Sequence, residues 1–432
     1  MSIGKPIKLN SGILAISKYL VMIPTQQFLD IQAEYGSPVY VYDANQIIEN
    51  YNLFTSSFSV KDLKVHYACK ALTNISILKL FKKMGAGLDC VSEQEVQLGL
   101  HAGFDPNDII YTPNGVCIEE YERVLKYKTK VTVDNLSLLE KIGVNYPDHP
   151  IHIRINPHLM AGGNQKISVG HIDSKFGISI HQLPHILRLV KTLNINVEGI
   201  HVHTGSDIID KDVFIRVAEL IFSIADQFDN ITSIDLGSGF KVQYKDGDMF
   251  TDIAKLGKAF SDRFNAYCKE KNREITLRFE PGKFMVSNAG FLLTKVNVVK
   301  QTTSCTFAGI NTGLNHLIRP MFYDAYHEIQ NISNAKGEQK LYSIVGNICE
   351  TDTFADNRLL NEVREGDTLV FKNAGAYCFT MASNYNSRLR PPEVMVLNGK
   401  AMLIRERETI KDILAGQPEA EFSLTSQEEV TS

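Results

Sequence analysis

Four kinds of residue, far apart along this chain, are suited to one piece of chemistry. Lys70 ends the apolar, strand-like run KVHYACKA (64–71), where an ammonium is costly to bury unless the run opens on water or the lysine has a task. His203 lies in HVHTGS (201–206) and Glu280 in FEPGK (279–283), while glycine-rich turns close two runs, GSGF at 237–240 and EPGK at 280–283. A lysine amine forms an imine with an aldehyde, an imidazole stacks on an aromatic ring, and a carboxylate holds a ring nitrogen protonated. Glycine turns expose backbone N–H groups to a compact dianion, and the Ser206 hydroxyl adds a further donor.

Singly, each residue has a plainer reading. Lys70 is compatible with snorkelling, His203 with a satisfied core imidazole and Glu280 with an ion pair inside the fold. Together they provide the services that pyridoxal 5'-phosphate (PLP) requires. A nucleotide-binding reading of GSGF lacks both GxGxxG and GxxxxGK[ST]. The stronger rival is a metal-dependent barrel hydrolase, because His201 and His203 are alternate residues that share a strand face. With no tight Asp/Glu/His cluster evident beside them, the expectation is that no metal is bound.

Such residues need a scaffold that gathers them. From residue 64, eight short β-branched runs (64–71, 85–92, 108–114, 130–135, 151–157, 197–205, 233–240 and 276–282) alternate with segments of helical spacing such as NISILKLFKKM and DVFIRVAELIFSIADQF. That count predicts a (β/α)8 TIM barrel, whose strand ends share one catalytic mouth. The proposed ends carry Lys70, Asp89, Arg154 with Asn156, His203 with Ser206, the glycines of GSGF, and Glu280 with Lys283. After residue 285 the pattern changes to β-rich runs separated by Gly, Asn and Asp turns. The expected fold is therefore α/β plus β: a barrel over 44–285, and a second, mostly β domain of barrel or sandwich type built from 1–43 and 286–418. Residues 419–432 are polar and aperiodic and read as a disordered tail.

Composition narrows the class. The 432 residues are 44% hydrophobic and 22% charged, with a formal net charge of −4 and no concentrated Lys/Arg block, which argues against nucleic acid as a partner. Seven cysteines with no CxxC favour free thiols in a reducing compartment. No stretch reaches the length of a membrane span and the first residues lack a signal-peptide pattern, so the expectation is a cytoplasmic protein without membrane association.

The chain resembles the fold-type III PLP-dependent decarboxylases, and among them the diaminopimelate decarboxylases, on stretches that run in order over nearly its whole length. These are YACKA (67–71), HVHTGS (201–206), DLGSGF (235–240), FEPGK (279–283), RPMFYDAYH (319–327), CETD (349–352) and GAYCFTMASNYNSRLRPPEV (375–394). The resemblance implies decarboxylation of meso-2,6-diaminopimelate to L-lysine and carbon dioxide. The alternatives are another basic amino acid or carboxynorspermidine as substrate, or an amino-acid racemase. It makes Lys70 the imine lysine, His203 the stacking ring, Glu280 the ring-nitrogen partner and Cys349 the proton donor. Ser206, Gly239, Pro281, Gly282, Lys283 and Tyr377 would contact the cofactor. Lys283, Arg319, Tyr323, Glu350 and Tyr377 would contact an amino-acid substrate, whose distal carboxylate suits an arginine fork. Lys283 stands where the family commonly has arginine, so a point charge replaces a bidentate fork. The resemblance also implies a homodimer with shared active sites. Cys69, beside the lysine on an alternating strand, reads as a packed thiol.

Overall fold

The computed structural model describes residues 23–159, 174–203, 205 and 208–422. After β1 (Val39–Asp43) come β2 (Leu63–Ala68), β3 (Gly87–Cys90), β4 (Ile109–Tyr111), β5 (Lys130–Val133) and β6 (Ile151–Asn156). The two-residue β7 (Ile178–Ser179), β8 (Val197–His201), β9 (Ser233–Asp235) and β10 (Thr276–Phe279) follow. Parallel pairing runs from β2 through β3, β4, β5, β6, β8, β9 and β10. It then returns to β2, with Leu277 opposite Leu63 and Phe279 opposite Val65. The eight apolar runs are thus the eight staves of a closed barrel, and β7 pairs with β6 outside the ring.

Helices cover the barrel where the 3.6-residue spacing placed them, including Ile75–Met84, Ile118–Leu125, Leu183–Leu193 and Lys211–Ala225. An aromatic cluster fixes both glycine turns to the helix Ala44–Ser57. Phe54 lies 5.1 Å from Phe240 of GSGF and 5.5 Å from Phe279 of FEPG, and Phe58 lies 4.7 Å from Phe279. Ring contacts of this kind add stabilisation beyond the area they bury.

The chain after the barrel forms β11 (Gly290–Gln301), β12 (Thr306–Ile310), β13 (Ile329–Asn331), β14 (Gln339–Val345), β15 (Thr353–Asn361), β16 (Thr368–Phe371), β17 (Glu393–Leu397) and β18 (Lys400–Arg405). With β1 they make a nine-stranded mixed sheet. β1 runs antiparallel to β11 and parallel to β17, so a segment that precedes the barrel lies inside the second sheet. Its alternation divides two cores. Val39 and Val41 pack with Leu293, Val394 and the helix Thr25–Tyr35, while Tyr40 and Tyr42 join the core shared with the barrel.

Glu393, fully buried, ties the two parts together. It accepts from Tyr42 OH (2.7 Å), from Asn74 Nδ2 (2.9 Å) and from Arg405. Asn74 also caps the helix Ile75–Met84 by accepting from Ser76 N–H at 2.9 Å. A charged anchor in the second sheet therefore holds the start of the helix that leaves the Lys70 turn. Among the described residues no helix is long and apolar enough to cross a membrane.

Candidate active site

β2 ends at Ala68, and Cys69–Ala71 form a single 3-10 turn. Lys70 rides on that turn, not on the strand, so strand alternation does not explain Cys69. That thiol is nonetheless fully buried, and burial pushes its pKa well up, as expected of a packing residue. The Lys70 side chain keeps 39% of its exposure because it faces a cavity, where Nζ donates to Asp89 Oδ2 at 2.7 Å. Burial alone would lower the lysine pKa, but the Asp89 carboxylate, with Tyr377 and Glu280, outweighs it and holds the ammonium charged. Asp89 is itself pushed up to about 6, first by burial and then by Glu280, against the pull of Lys70.

Across the mouth, β8, β9 and β10 bring His201, His203, Asp235 and Glu280 together. His201 Nε2 lies 3.1 Å from Glu280 Oε2, and His203 Nδ1 accepts from Ser238 N–H at 3.1 Å. Burial drives both imidazoles well below their usual pKa, with Arg154 adding to the effect, so both are neutral. Neutral His201 is then the donor to the Glu280 carboxylate. Burial raises the pKa of Glu280 and of Asp235, and the two like charges oppose each other at Asp235. With both carboxyls ionised, Glu280 Oε1, Asp235 Oδ2 and His201 Nδ1 have no hydrogen-bond partner among the described residues; a proton on Asp235 would join it to Glu280.

This grouping corrects one expectation from the sequence. His201, Asp235 and Glu280 do form a tight His/Asp/Glu cluster, with one ligand atom of each within 4.8 Å of the others, because parallel pairing sets the ends of β8, β9 and β10 side by side. Both His201 and His203 also line the cavity. Two glycines make room there. Gly237 (φ 62°) leaves space for the His203 ring, since a Cβ would lie 2.7 Å from its Nδ1. Gly239 (φ 119°) lets the backbone approach Gly205, whose carbonyl a Cβ would meet at 2.6 Å.

The second sheet completes the cavity, which has a volume of about 830 Å³. The short helix Arg319–Tyr323 points Arg319 and Tyr323 into it. Arg319 is 7% exposed and donates from Nη2 to Tyr244 OH at 3.0 Å. The rings of Tyr244 and Tyr323 lie 5.7 and 5.9 Å from the guanidinium carbon, and Nε has no hydrogen-bond partner among the described residues. Tyr377 occupies the left-handed region (φ 57°), uncommon for an aromatic residue, and its N–H donates to Ala71 O at 2.9 Å, joining this loop to the lysine turn. Gly239, Gly282 and Lys283 also line the wall, and the Pro281 carbonyl accepts from Ala68 N–H at 3.3 Å. Ser206 lies outside the described residues.

Cys349 and Glu350 are placed elsewhere. They sit exposed on the loop between β14 and β15 and do not line the Lys70 cavity of their own chain. Glu350 Oε1 accepts from Tyr385 OH at 2.6 Å, and Asn386 contacts Cys349 at both its backbone N–H and its sulfur. Tyr244, Tyr385 and Asn386 had no role in the sequence reading, although the last two lie in a stretch it quoted. Each acts through a partner at least 35 positions away, a relation with no local pattern.

Residues 44–287 match the family model described as pyridoxal-dependent decarboxylase, pyridoxal binding domain. A diaminopimelate decarboxylase of Methanothermobacter thermautotrophicus is 37% identical over 404 residues, covering 90% of this chain and 93% of that one. One of Vibrio cholerae is 35% identical over 396 residues, covering 89% and 94%. The crystal structure of diaminopimelate decarboxylase from M. jannaschii in complex with L-lysine superposes with a TM-score of 0.83 at 30% identity, covering 91% and 94% of the two chains.

Proposed function

The chain belongs to the pyridoxal-dependent decarboxylases, and from that premise we propose that it converts meso-2,6-diaminopimelate to L-lysine and carbon dioxide with PLP as cofactor. The observation that carries this reading is one cavity holding the Lys70 amine, the His203 ring and the Glu280 carboxylate at one side and the buried Arg319 guanidinium at the other.

The residues fit the cofactor. The cavity is within the usual range for a cofactor and a small substrate. Glu280 offers a buried carboxyl oxygen that has no hydrogen-bond partner among the described residues, as a ring nitrogen requires, and Gly205, Gly239 and Gly282 bring bare backbone to the wall where a phosphate needs donors. PLP, when bound, supplies an aldehyde for the amine and a ring that takes up the electron pair released with carbon dioxide. Lys70 would hold the aldehyde carbon, and His203 would cover one ring face. Glu280, oriented by His201, would share a proton with the ring nitrogen. Gly239, Pro281, Gly282 and Lys283 would secure the phosphate, with Ser206 as a further donor and Tyr377 beside it.

At the far end Arg319, held by Tyr244, presents its Nε to the substrate's distal carboxylate, with Tyr323, Tyr377 and Lys283 close by. A substrate without that group would leave a buried guanidinium uncompensated, which sets the preference. The reaction also needs a proton at the former α-carbon. Cys349 and Glu350 are outside the cavity of their own chain, which supports a homodimer in which Cys349 of the partner subunit would give the proton and Glu350 of the partner subunit would meet the distal ammonium. In this reading residues 44–285 bind the cofactor, while 1–43 and 286–418 carry the substrate and proton-donor segments. Seven free thiols suit a cytoplasmic setting.

Measuring carbon dioxide release from PLP-loaded protein with a panel of amino acids tests the assignment. Diaminopimelate is expected to be the preferred substrate. Turnover of ornithine, arginine or carboxynorspermidine with none of diaminopimelate would overturn it.

A further inference from the structure

Two consecutive residues of one loop grip two consecutive residues of another. Tyr385 OH donates to Glu350 Oε1 at 2.6 Å, while Asn386 spans Cys349 at two points, its Oδ1 accepting from the Cys349 N–H at 3.0 Å and its Nδ2 donating to Cys349 Sγ at 3.0 Å. The backbone is left-handed at both Asn386 (φ 58°) and Ser387 (φ 54°), a conformation that persists only where surrounding contacts over-determine it. The grip on Cys349 N–H accounts for one end of the Asn386 amide. The second contact, aimed at sulfur, needs another explanation.

A thiol sulfur is a weak acceptor and a thiolate a strong one. An amide N–H fixed 3.0 Å from Sγ is therefore worth little before the proton leaves and more afterwards, which is the differential binding that accelerates a step. The same contact occupies a sulfur lone pair on the Asn386 side and turns the S–H away from that loop.

We propose that Asn386 is a positioning residue for proton delivery, orienting the Cys349 thiol and stabilising the thiolate it leaves. This rests on the reading of Cys349 as the proton donor. The S–H bond breaks as a C–H bond forms with the electron pair released by decarboxylation. The sulfur keeps its own pair as thiolate, and water returns the proton through the Tyr385 and Glu350 pair. Tyr385 OH stands 3.9 Å from Sγ.

Two variants of the holoenzyme test this. Asn386→Gly keeps the left-handed backbone and removes the amide. Asn386→Asp keeps the acceptor for Cys349 N–H but sets an acceptor, not a donor, against the sulfur. Both are expected to lower kcat roughly 10- to 100-fold with KM changed less than about 3-fold. The pH profile of Cys349 alkylation by iodoacetamide, followed by peptide mass mapping, is expected to move up by about half a unit or more, further for Asp than for Gly. The ionisable groups that contact the Cys349–Glu350 pair, Glu350 and Tyr385, are unchanged in both variants, and Arg388, which donates to Asn347 O, is unchanged too; Asn386→Asp alone adds a carboxylate, which is why its shift is the larger. An unchanged alkylation profile, or a loss in kcat matched by a rise in KM, would overturn the proposal. Cys349→Ala separates it from the reading beneath it. Full turnover there removes the donor assignment and the clamp together, whereas impaired Cys349→Ala beside wild-type-like Asn386→Gly removes the clamp alone.

Discussion

Lys70 Nζ, on the turn after β2, and Asp89 Oδ2, on the neighbouring β3, lie 2.7 Å apart and form an ion pair that, if Lys70 is the imine lysine, would keep it protonated until a cofactor arrives. Only the neutral amine attacks an aldehyde, and burial by itself would favour the neutral form. Asp89→Asn is expected to load PLP onto the apo protein faster at neutral pH and to shift the pH profile of loading downward, measured by stopped-flow absorbance. A slower or unshifted profile would show that Asp89 assists the attack. Lys70→Ala should leave no cofactor attached after borohydride reduction and mass analysis.

Glu280→Gln keeps an acceptor for His201 while removing the charge. Turnover should fall by roughly 10²-fold or more, with PLP still retained covalently. Its neighbours could hold a metal, which gives a second check. If the cluster serves the cofactor, dialysis of the holoenzyme against a chelator leaves the wild-type rate unchanged, and a rate restored by added zinc would favour the metal reading.

Arg319→Ala should lower kcat/KM for diaminopimelate by roughly 30- to several-thousand-fold, as expected when one partner of a buried charge pair is removed at a cost of about 2–5 kcal/mol. Activity toward lysine, which lacks the distal carboxylate, should change far less. Equal losses on both substrates would assign Arg319 to the fold.

The shared-site dimer can be tested by mixing. Lys70→Ala and Cys349→Ala are each expected to be nearly inactive. Subunits exchanged in equal amounts place half the protein in mixed dimers with one intact site of two, giving about one quarter of wild-type activity. Inactive mixtures, with exchange verified by mass, would place both residues in one chain's site.

How much of this was legible beforehand depends on the range of the signal. Strand periodicity named all eight staves, and parallel closure then sets successive strand ends side by side, so Lys70, His203, Glu280 and the GSGF turn converge as the pattern implied. The hairpin between β17 and β18 turns on Asn398 and Gly399, both left-handed in the fold, a local signal that the sequence reading did not use. Contacts across independently docked pieces had no such marker. Arg319 meets Tyr244 across 75 positions, and the His201–Glu280 contact spans 79. Neither follows from residue spacing, because the second sheet and the ring closure decide them.

His327 provides a pH prediction with a defined sign. Its ring is 1% exposed, Nδ1–H donates to Lys372 O at 2.9 Å, and Nε2 has no hydrogen-bond partner among the described residues. Burial pushes its pKa down to about 4, and Arg319 and Arg358 add to the effect. A depressed imidazole pKa means that the unfolded chain takes up the proton first. Its stabilisation is present above the unfolded value of about 6.5 and is lost as pH falls toward 4. His327→Gln removes that dependence and leaves every other titrating group in place. The stability of wild type relative to this variant, from urea unfolding of the apo protein, should therefore decline by up to about 3 kcal/mol between pH 7 and pH 4. A difference that stays constant over that range would mean that His327 titrates alike in both states.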